Sequence, residues 1–421
     1  MAVIITATLL PFNPIVSEQI PPAWCLRCGG LWLTDAVSNV LLFVPFGAAL
    51  ALRGTRVWVA ILLGLFGSFT IEWLQSKGIP SARSAALADV LTNTLGTALG
   101  ALLAAYASWL RNPGARAARW LTASWTVAVS AVAALTAMAM GPRMVMVPHA
   151  QVGTTLSTYP HVPGQAWYGG VNESATIDDR STFRKGWAGP IIVQLDAEPD
   201  TLHVMSVVRG REAEPFAVPI VFLHLPADSS PVLQVRVNKD AAELDVTRRA
   251  WDWGMAFPGV RVANAFAGRT LDDSRALTLH AQSTRYRLEL SATEGERREQ
   301  AVVLLTPAVG WAMLQNLVDV QSSWAPVVLV AWLGVLIVPI GWWAYGSRHG
   351  APSGPASDTF LRRETWIPYA AVVLLVWVSL AVMGMTAQPT TLEWVLVLVW
   401  SKIGHIAASH WSETGSTASP R

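Results

Sequence analysis

The chain has 421 residues, 52% of them hydrophobic and 14% charged, with a formal net charge of +2. Soluble globular proteins carry about 25% charged residues, so a soluble fold throughout is excluded. The near-zero balance also excludes a broad basic field, and no nucleic-acid partner is expected.

The charge deficit concentrates at 37–140 and 325–408, and the stretch between them has ordinary soluble composition. Residues 1–12 are apolar but lack the charged start and small-residue cleavage site of a signal peptide. A span needs about 20 residues, so this segment reads as the end of a shortened first span. The clear apolar runs that follow are 36–52, 57–76, 88–110, 120–140, 325–345 and 367–385, with a weaker one at 391–408 interrupted by Lys402 and His405. In lipid every backbone polar group must be paired within its own segment, so these runs are predicted as helices. Pro45 and Pro339 are expected to bend theirs.

Lys/Arg bias in short loops sets orientation. Arg53, Arg56, Arg111, Arg116, Arg119, Arg348, Arg362 and Arg363 fall on one side, the expected cytoplasmic one. The opposite short loops carry Arg27, Lys77 and Arg83. Residues 141–323 are then expected outside. Tryptophans 58, 109, 120, 324, 342, 343 and 366 sit at span edges, as in an interfacial belt.

Within 141–323, Leu233, Val235 and Val237 alternate with Gln234, Arg236 and Asn238. Alternation recurs at 277–280 and 286–290, and short apolar runs at 191–195, 202–208 and 219–225 add further strands. The predicted fold class is therefore a membrane all-α helical bundle of about 7–8 spans with an inserted extracytoplasmic β-sandwich or jelly-roll-like domain. The predicted division is a transmembrane domain over 1–140, the β-rich domain over 141–323, and C-terminal helices over 324–411 with a cytoplasmic linker at 346–366. A disordered tail over 412–421 follows.

Polar residues inside the first helical block are the most informative feature. Asp35 and Asn39 are four apart and share one helical face. Ser68, Glu72 and Gln75 recur at four and three on the next span, and Asp89, Asn93, Gly96 and Gly100 at four, three and four on the one after. The glycines are expected to permit close helix approach. Asp35, Glu72, Gln75 and Asp89 lie near the outer boundary, with Asn39, Ser68 and Asn93 about one turn deeper, roughly 5–6 Å. Charge at such depth is costly, so these side chains must face each other, water or a ligand. Arg83 could return from its loop to pair with Glu72 or Asp89. Three readings stay open: a structural network, a binding pocket open to the outer leaflet, and intramembrane catalysis with Glu72 or Asp89 as general acid or base.

The run from Asp35 to Gly47 (DAVSNVLLFVPFG), the spaced Ser68, Glu72 and Gln75, and the set Arg83, Asp89, Asn93, Gly96 and Gly100 together resemble the VanZ-like family. That family is named for a membrane protein associated with resistance to the glycopeptide teicoplanin. The resemblance covers about residues 1–110 and implies a multi-pass protein of the bacterial plasma membrane. It implies Asp35, Asn39, Glu72, Gln75, Arg83, Asp89 and Asn93 as shared positions, without catalytic roles. The expected partners are the bilayer and an envelope lipid, glycan or glycopeptide. No cofactor or metal is expected. The segment from Leu305 to Trp311 is similar to the close of strand-rich domains in longer VanZ-like proteins.

Other signals are weaker. Cys25 and Cys28 form a C-x-x-C pair, read as a local disulfide, free thiols or a metal or redox site. Trp187, Trp251 and Trp253 are either sugar platforms or core or rim residues. His203, His224 and His280 read as strand-surface residues, and the sequon at Asn172 as coincidence. Glu393, Lys402 and His405 either mark the ends of the last span or indicate partial insertion.

Overall fold

The structure, a computed structural model, describes residues 24–78, 85–141, 145–147, 151–154, 171–177, 180–181, 191–193, 202–209, 218–224, 231–269, 275–315, 320–347 and 365–417. Side chains are described within 24–141 and 233–412 of that set. The expected stub at 1–12 lies outside it, as do Arg83, Trp187 and most of the linker. The side chains of His203 and His224 also lie outside it.

The first block contains α1 (Trp32–Leu52), α2 (Val57–Ser76), α3 (Leu87–Ala105), a short α4 (Ala107–Arg111) and α5 (Ala115–Met140). The apolar run at 88–110 thus divides at Tyr106, where the backbone leaves helical geometry. Three glycines bring α1 and α3 together: a Cβ on Gly96 or Gly100 would overlap the carbonyls of Val40 and Val44, and one on Gly47 that of Thr97. Lipid offers no hydrophobic drive between helices, so this backbone-to-backbone fit is where their packing energy comes from.

The strand-rich region follows α5. Its strands, in chain order, are β1 (Val145–Val147), β2 (Gln151–Thr154), β3 (Val171–Ile177), β4 (Arg180–Ser181), β5 (Ile191–Val193), β6 (Leu202–Arg209) and β7 (Val218–His224). Next come β8 (Pro231–Asn238), β9 (Ala241–Val246), a helical turn α6 (Arg249–Asp252), β10 (Val260–Val262), β11 (Leu277–Ser283), β12 (Arg287–Glu294) and β13 (Arg297–Leu304). They form antiparallel sheets ordered β10-β9-β8-β7-β2 and β13-β12-β11-β6-β3-β4, with a β1–β5 ribbon. Leu233, Val235 and Val237 of one sheet share a hydrophobic core with Leu277, Leu279 and Leu290 of the other, and Met140 at the end of α5 joins it. Arg248, just past β9, is fully buried and donates to Ser283 Oγ at 3.0 Å and to the Thr284 carbonyl at 3.0 Å. Burial lowers its guanidinium to about 10, because desolvation disfavours the cation.

After a 3₁₀ helix (Pro307–Met313) come α7 (Ala325–Gly346), α8 (Ile367–Val382) and α9 (Thr391–Thr417). Gly341 and Gly404 repeat the glycine device, lying on the carbonyls of Ser401 and Val338. Helix α9 is continuous through Lys402 and His405 and continues to Thr417, into the stretch expected as a tail. Among the described residues six helices are long and apolar enough to cross a membrane, consistent with a multi-pass membrane protein. The 16 residues of α8 rise only about 24 Å, short of a bilayer core. Trp58, Trp109, Trp120 and Trp324 are exposed as an interfacial belt requires, but Trp366 is buried in the core between α5, α7, α8 and α9.

The 3₁₀ helix bolts the strands to the helices. Thr34, fully buried at the start of α1, donates to the Met313 carbonyl at 2.6 Å and accepts from Ala256 N at 2.8 Å. The Ser38 hydroxyl donates to the Leu314 carbonyl at 3.2 Å. Gly254, at φ +67°, accepts from Leu33 N and Thr34 N, and a side chain there would strike Trp32. The segment from Leu305 to Trp311 belongs to this joint as well: Gly310 packs on Thr136 of α5, and Ala387 N donates to the Leu305 carbonyl at 3.0 Å.

Candidate functional site

Helices α2 and α3 meet through a polar layer. Ser68, Glu72, Gln75 and Asn93 are all buried, at 5% exposure or less. Asn93 Nδ2 donates to Ser68 Oγ at 2.8 Å, and the Ser68 hydroxyl lies 3.4 Å from the Asp89 carbonyl oxygen. Ala86 N, just before α3, donates to Glu72 Oε2 at 2.7 Å. A helix start has unpaired N–H groups, so a carboxylate from the neighbouring helix satisfies one and complements the dipole. Thr97 donates to the Asn93 carbonyl at 3.0 Å, and its side chain fills the space that Gly64 leaves open.

The layer thus joins Ser68 to Asn93 directly and Glu72 to the start of α3 through Ala86 N, with Gln75 buried one turn along from Glu72 and Asp89 half-buried. Asp35 is exposed on α1 and Asn39 half-buried. Arg83 lies outside the described residues. One polar atom is left over: Asn93 Oδ1 is buried with no hydrogen-bond partner among the described residues. Burying such an acceptor costs about 1–3 kcal/mol unless something donates to it.

Nearby, the segment containing Cys25 runs beside the start of α3. Trp24 N donates to the Ala85 carbonyl at 2.8 Å, and Ala88 N to that of Cys25 at 3.3 Å. The two cysteine sulfurs lie within bonding distance, with Cα atoms 5.6 Å apart.

A second buried acid, Glu393, starts α9. It accepts from Thr306 Oγ1 at 2.5 Å and from Thr390 N at 2.8 Å, while its own N–H donates to Thr390 Oγ1 at 3.3 Å. This reciprocal pair is a capping box. It explains why an acid sits in the last apolar run.

Two cavities lie at the junction of strands and helices. One, of about 440 Å³, is mostly apolar and is bounded by Val302 and Leu304 of β13, Leu329 of α7 and Glu393. The other, of about 430 Å³, lies between Leu31 and the β8–β10 edge and is lined by Arg236, Glu243, Asp245, Trp251 and Arg261. Reading one strand at a time missed that charged set. Alternation placed Arg236 and Asn238 on one face, but pairing with Glu243 depends on register between strands.

These features define a multi-pass membrane protein whose first helices enclose a polar layer and carry a strand-rich region. Residues 2–110 match the family model described as VanZ/LLP1, so this part of the chain is similar to that family. No curated protein and no solved structure matches the chain. The matched stretch contains all four buried members of the layer.

Proposed function

We propose that this is a non-enzymatic protein of the bacterial cell envelope that binds an amphipathic envelope molecule at the outward end of α1–α3. The class is a lipid-linked precursor, a glycolipid or a glycopeptide, and glycopeptide resistance is one output such binding would support. The strand-rich region folds as an extracytoplasmic sandwich over this end, in an oxidising compartment where Cys25 and Cys28 are paired. The observation that carries the reading is the buried Asn93 Oδ1, an acceptor without a donor among the described residues, in a layer that also buries the acid Glu72. A polar head group entering from the outer leaflet supplies that donor, and its tail stays in lipid.

Native mass spectrometry of the protein in gentle detergent tests this, with wild type beside Glu72→Ala/Asp89→Ala. A lipid or glycolipid retained only by wild type is the expected result. Equal spectra from two equally folded proteins would overturn it. They would support a second reading, a purely structural network, which the Glu72 bond to Ala86 N favours.

A further inference from the structure

The cleft beside β10 carries a different chemistry from the helix layer. Arg261 on β10, Glu243 on β9 and Arg236 on β8 are direct cross-strand neighbours. Arg236 Nε meets Glu243 Oε2 at 2.7 Å, Arg236 Nη2 meets Asp245 Oδ2 at 3.1 Å, and Arg261 Nε lies 3.7 Å from Glu243 Oε1. Asn238 Nδ2 also donates to Glu243, at 2.9 Å. The lining carries two guanidiniums and two carboxylates, so its formal charge is zero. An anionic ligand would find cations already neutralised, and a cationic one would find the acids likewise engaged.

What remains is a rigid array of donors and acceptors side by side on three hydrogen-bonded strands. Vicinal hydroxyls, each able to donate and accept, fit such an array without needing net charge. One wall is aromatic. Trp251 is held edge-on by Phe257 with ring centroids 6.2 Å apart, and it rests on Gly30, where a Cβ would come within 2.9 Å of its ring. Gly259 likewise leaves room for Asp245, whose Oδ1 would lie 2.5 Å from a Cβ there. The cleft's volume of about 430 Å³ is within the range of small-molecule sites.

We infer that the cleft between Trp251 and the Arg236–Glu243–Arg261 ladder binds an uncharged saccharide, with Trp251 against a sugar face and the ladder against its hydroxyls. The site is separate from the layer around Glu72, and it stands or falls independently of the function proposed above.

The test uses the full chain in lipid nanodiscs free of sugar detergent. Cellobiose, maltose and N,N′-diacetylchitobiose are the probes, read by saturation-transfer NMR, with inorganic phosphate as an anionic competitor. At least one disaccharide is expected to bind saturably. Asp245→Asn and Trp251→Ala should each weaken it about tenfold, the loss expected for a charge-assisted hydrogen bond or a stacking face. Glu72→Ala/Asp89→Ala should bind as wild type does. A dialkyl glycoside of the bound disaccharide placed in the disc separates the sources: displacement assigns the sugar to a lipid, and no displacement assigns it to a free glycan. If Trp251→Ala fails to fold, the milder Asp245→Asn decides. The inference is overturned if none of the three disaccharides binds, if Asp245→Asn binds as tightly as wild type, or if phosphate displaces the sugar.

Discussion

The α1–α3 pair and the α7–α9 pair both close backbone to backbone on glycines, through Gly47, Gly96 and Gly100 in the first and Gly341 and Gly404 in the second. Beside each pair is a buried acid: Glu72 on α2, which packs on α3, and Glu393 on α9 itself. Their surroundings differ. Both Glu393 oxygens are engaged by Thr306 and Thr390, and these contacts cap a helix and hold the joint to β13. Glu72 sits in a layer that still contains an acceptor without a donor among the described residues, Asn93 Oδ1. A buried acid in a membrane helix is thus not by itself a site. The groups of the Glu393 cap are matched in pairs, whereas the layer keeps Asn93 Oδ1 unmatched among the described residues.

The sharpest way to break this comparison is to remove the feature the pairs share. Gly100→Leu and Gly341→Leu would each drive a side chain into a neighbouring carbonyl. Each is expected to destabilise by about 3 kcal/mol or more, since backbone must move apart to admit it. Loss of monodisperse protein on size exclusion checks this, and wild-type behaviour of either variant would show that the seam is not close-packed.

Next comes Glu393→Ala, which removes a cap and leaves Thr306 without its acceptor. A loss of about 1–3 kcal/mol in thermal unfolding is expected. Glu72→Gln keeps the shape and an oxygen for Ala86 N, so a smaller stability change with loss of retained lipid is expected there. Reversal of that order would put Glu72 on the structural side.

Thr34→Val deletes both bonds that tie α1 to Met313 and Ala256. A cost of about 1–2 kcal/mol is expected. Faster hydrogen exchange at residues 307–313 and 254–256, without change in the β11–β12 core, would confirm that the joint opens first.

Gly67→Ala should do least. Nothing lies within 4 Å of a Cβ at Gly67, so only helix propensity changes, and a gain of about 0.5–1 kcal/mol is expected. A clear loss would reveal a neighbour packed on that face, such as a second chain or a bound lipid.

The helices were legible because a long apolar run in lipid must pair its backbone within itself, so the runs mark where helices lie. The starts of α2, α7, α8 and α9 fall where the apolar runs begin. The small-residue stripe at Gly96 and Gly100 was legible for the same reason, since spacing of four puts both on one face. The reading of Trp366 as a belt residue failed because burial depends on which helices surround it, and α5 and α7 pack against it from far along the chain. Trp251 and Trp253 read as sugar platforms or as core or rim. The structure places Trp251 against Gly30 and in the cleft wall, and packs Trp253 on the shared core of the two sheets.

Within the site, the sequence by itself determined which polar residues of α1, α2 and α3 share one face of each helix, because helical periodicity is local. Only the tertiary structure decided that Asn93 reaches Ser68, that Glu72 reaches Ala86 N, and that Arg236, Glu243 and Arg261 form one ladder across three strands. Those facts depend on helix rotation and strand register. Both are set by the summed packing of residues far apart in the chain, and no local pattern encodes that sum.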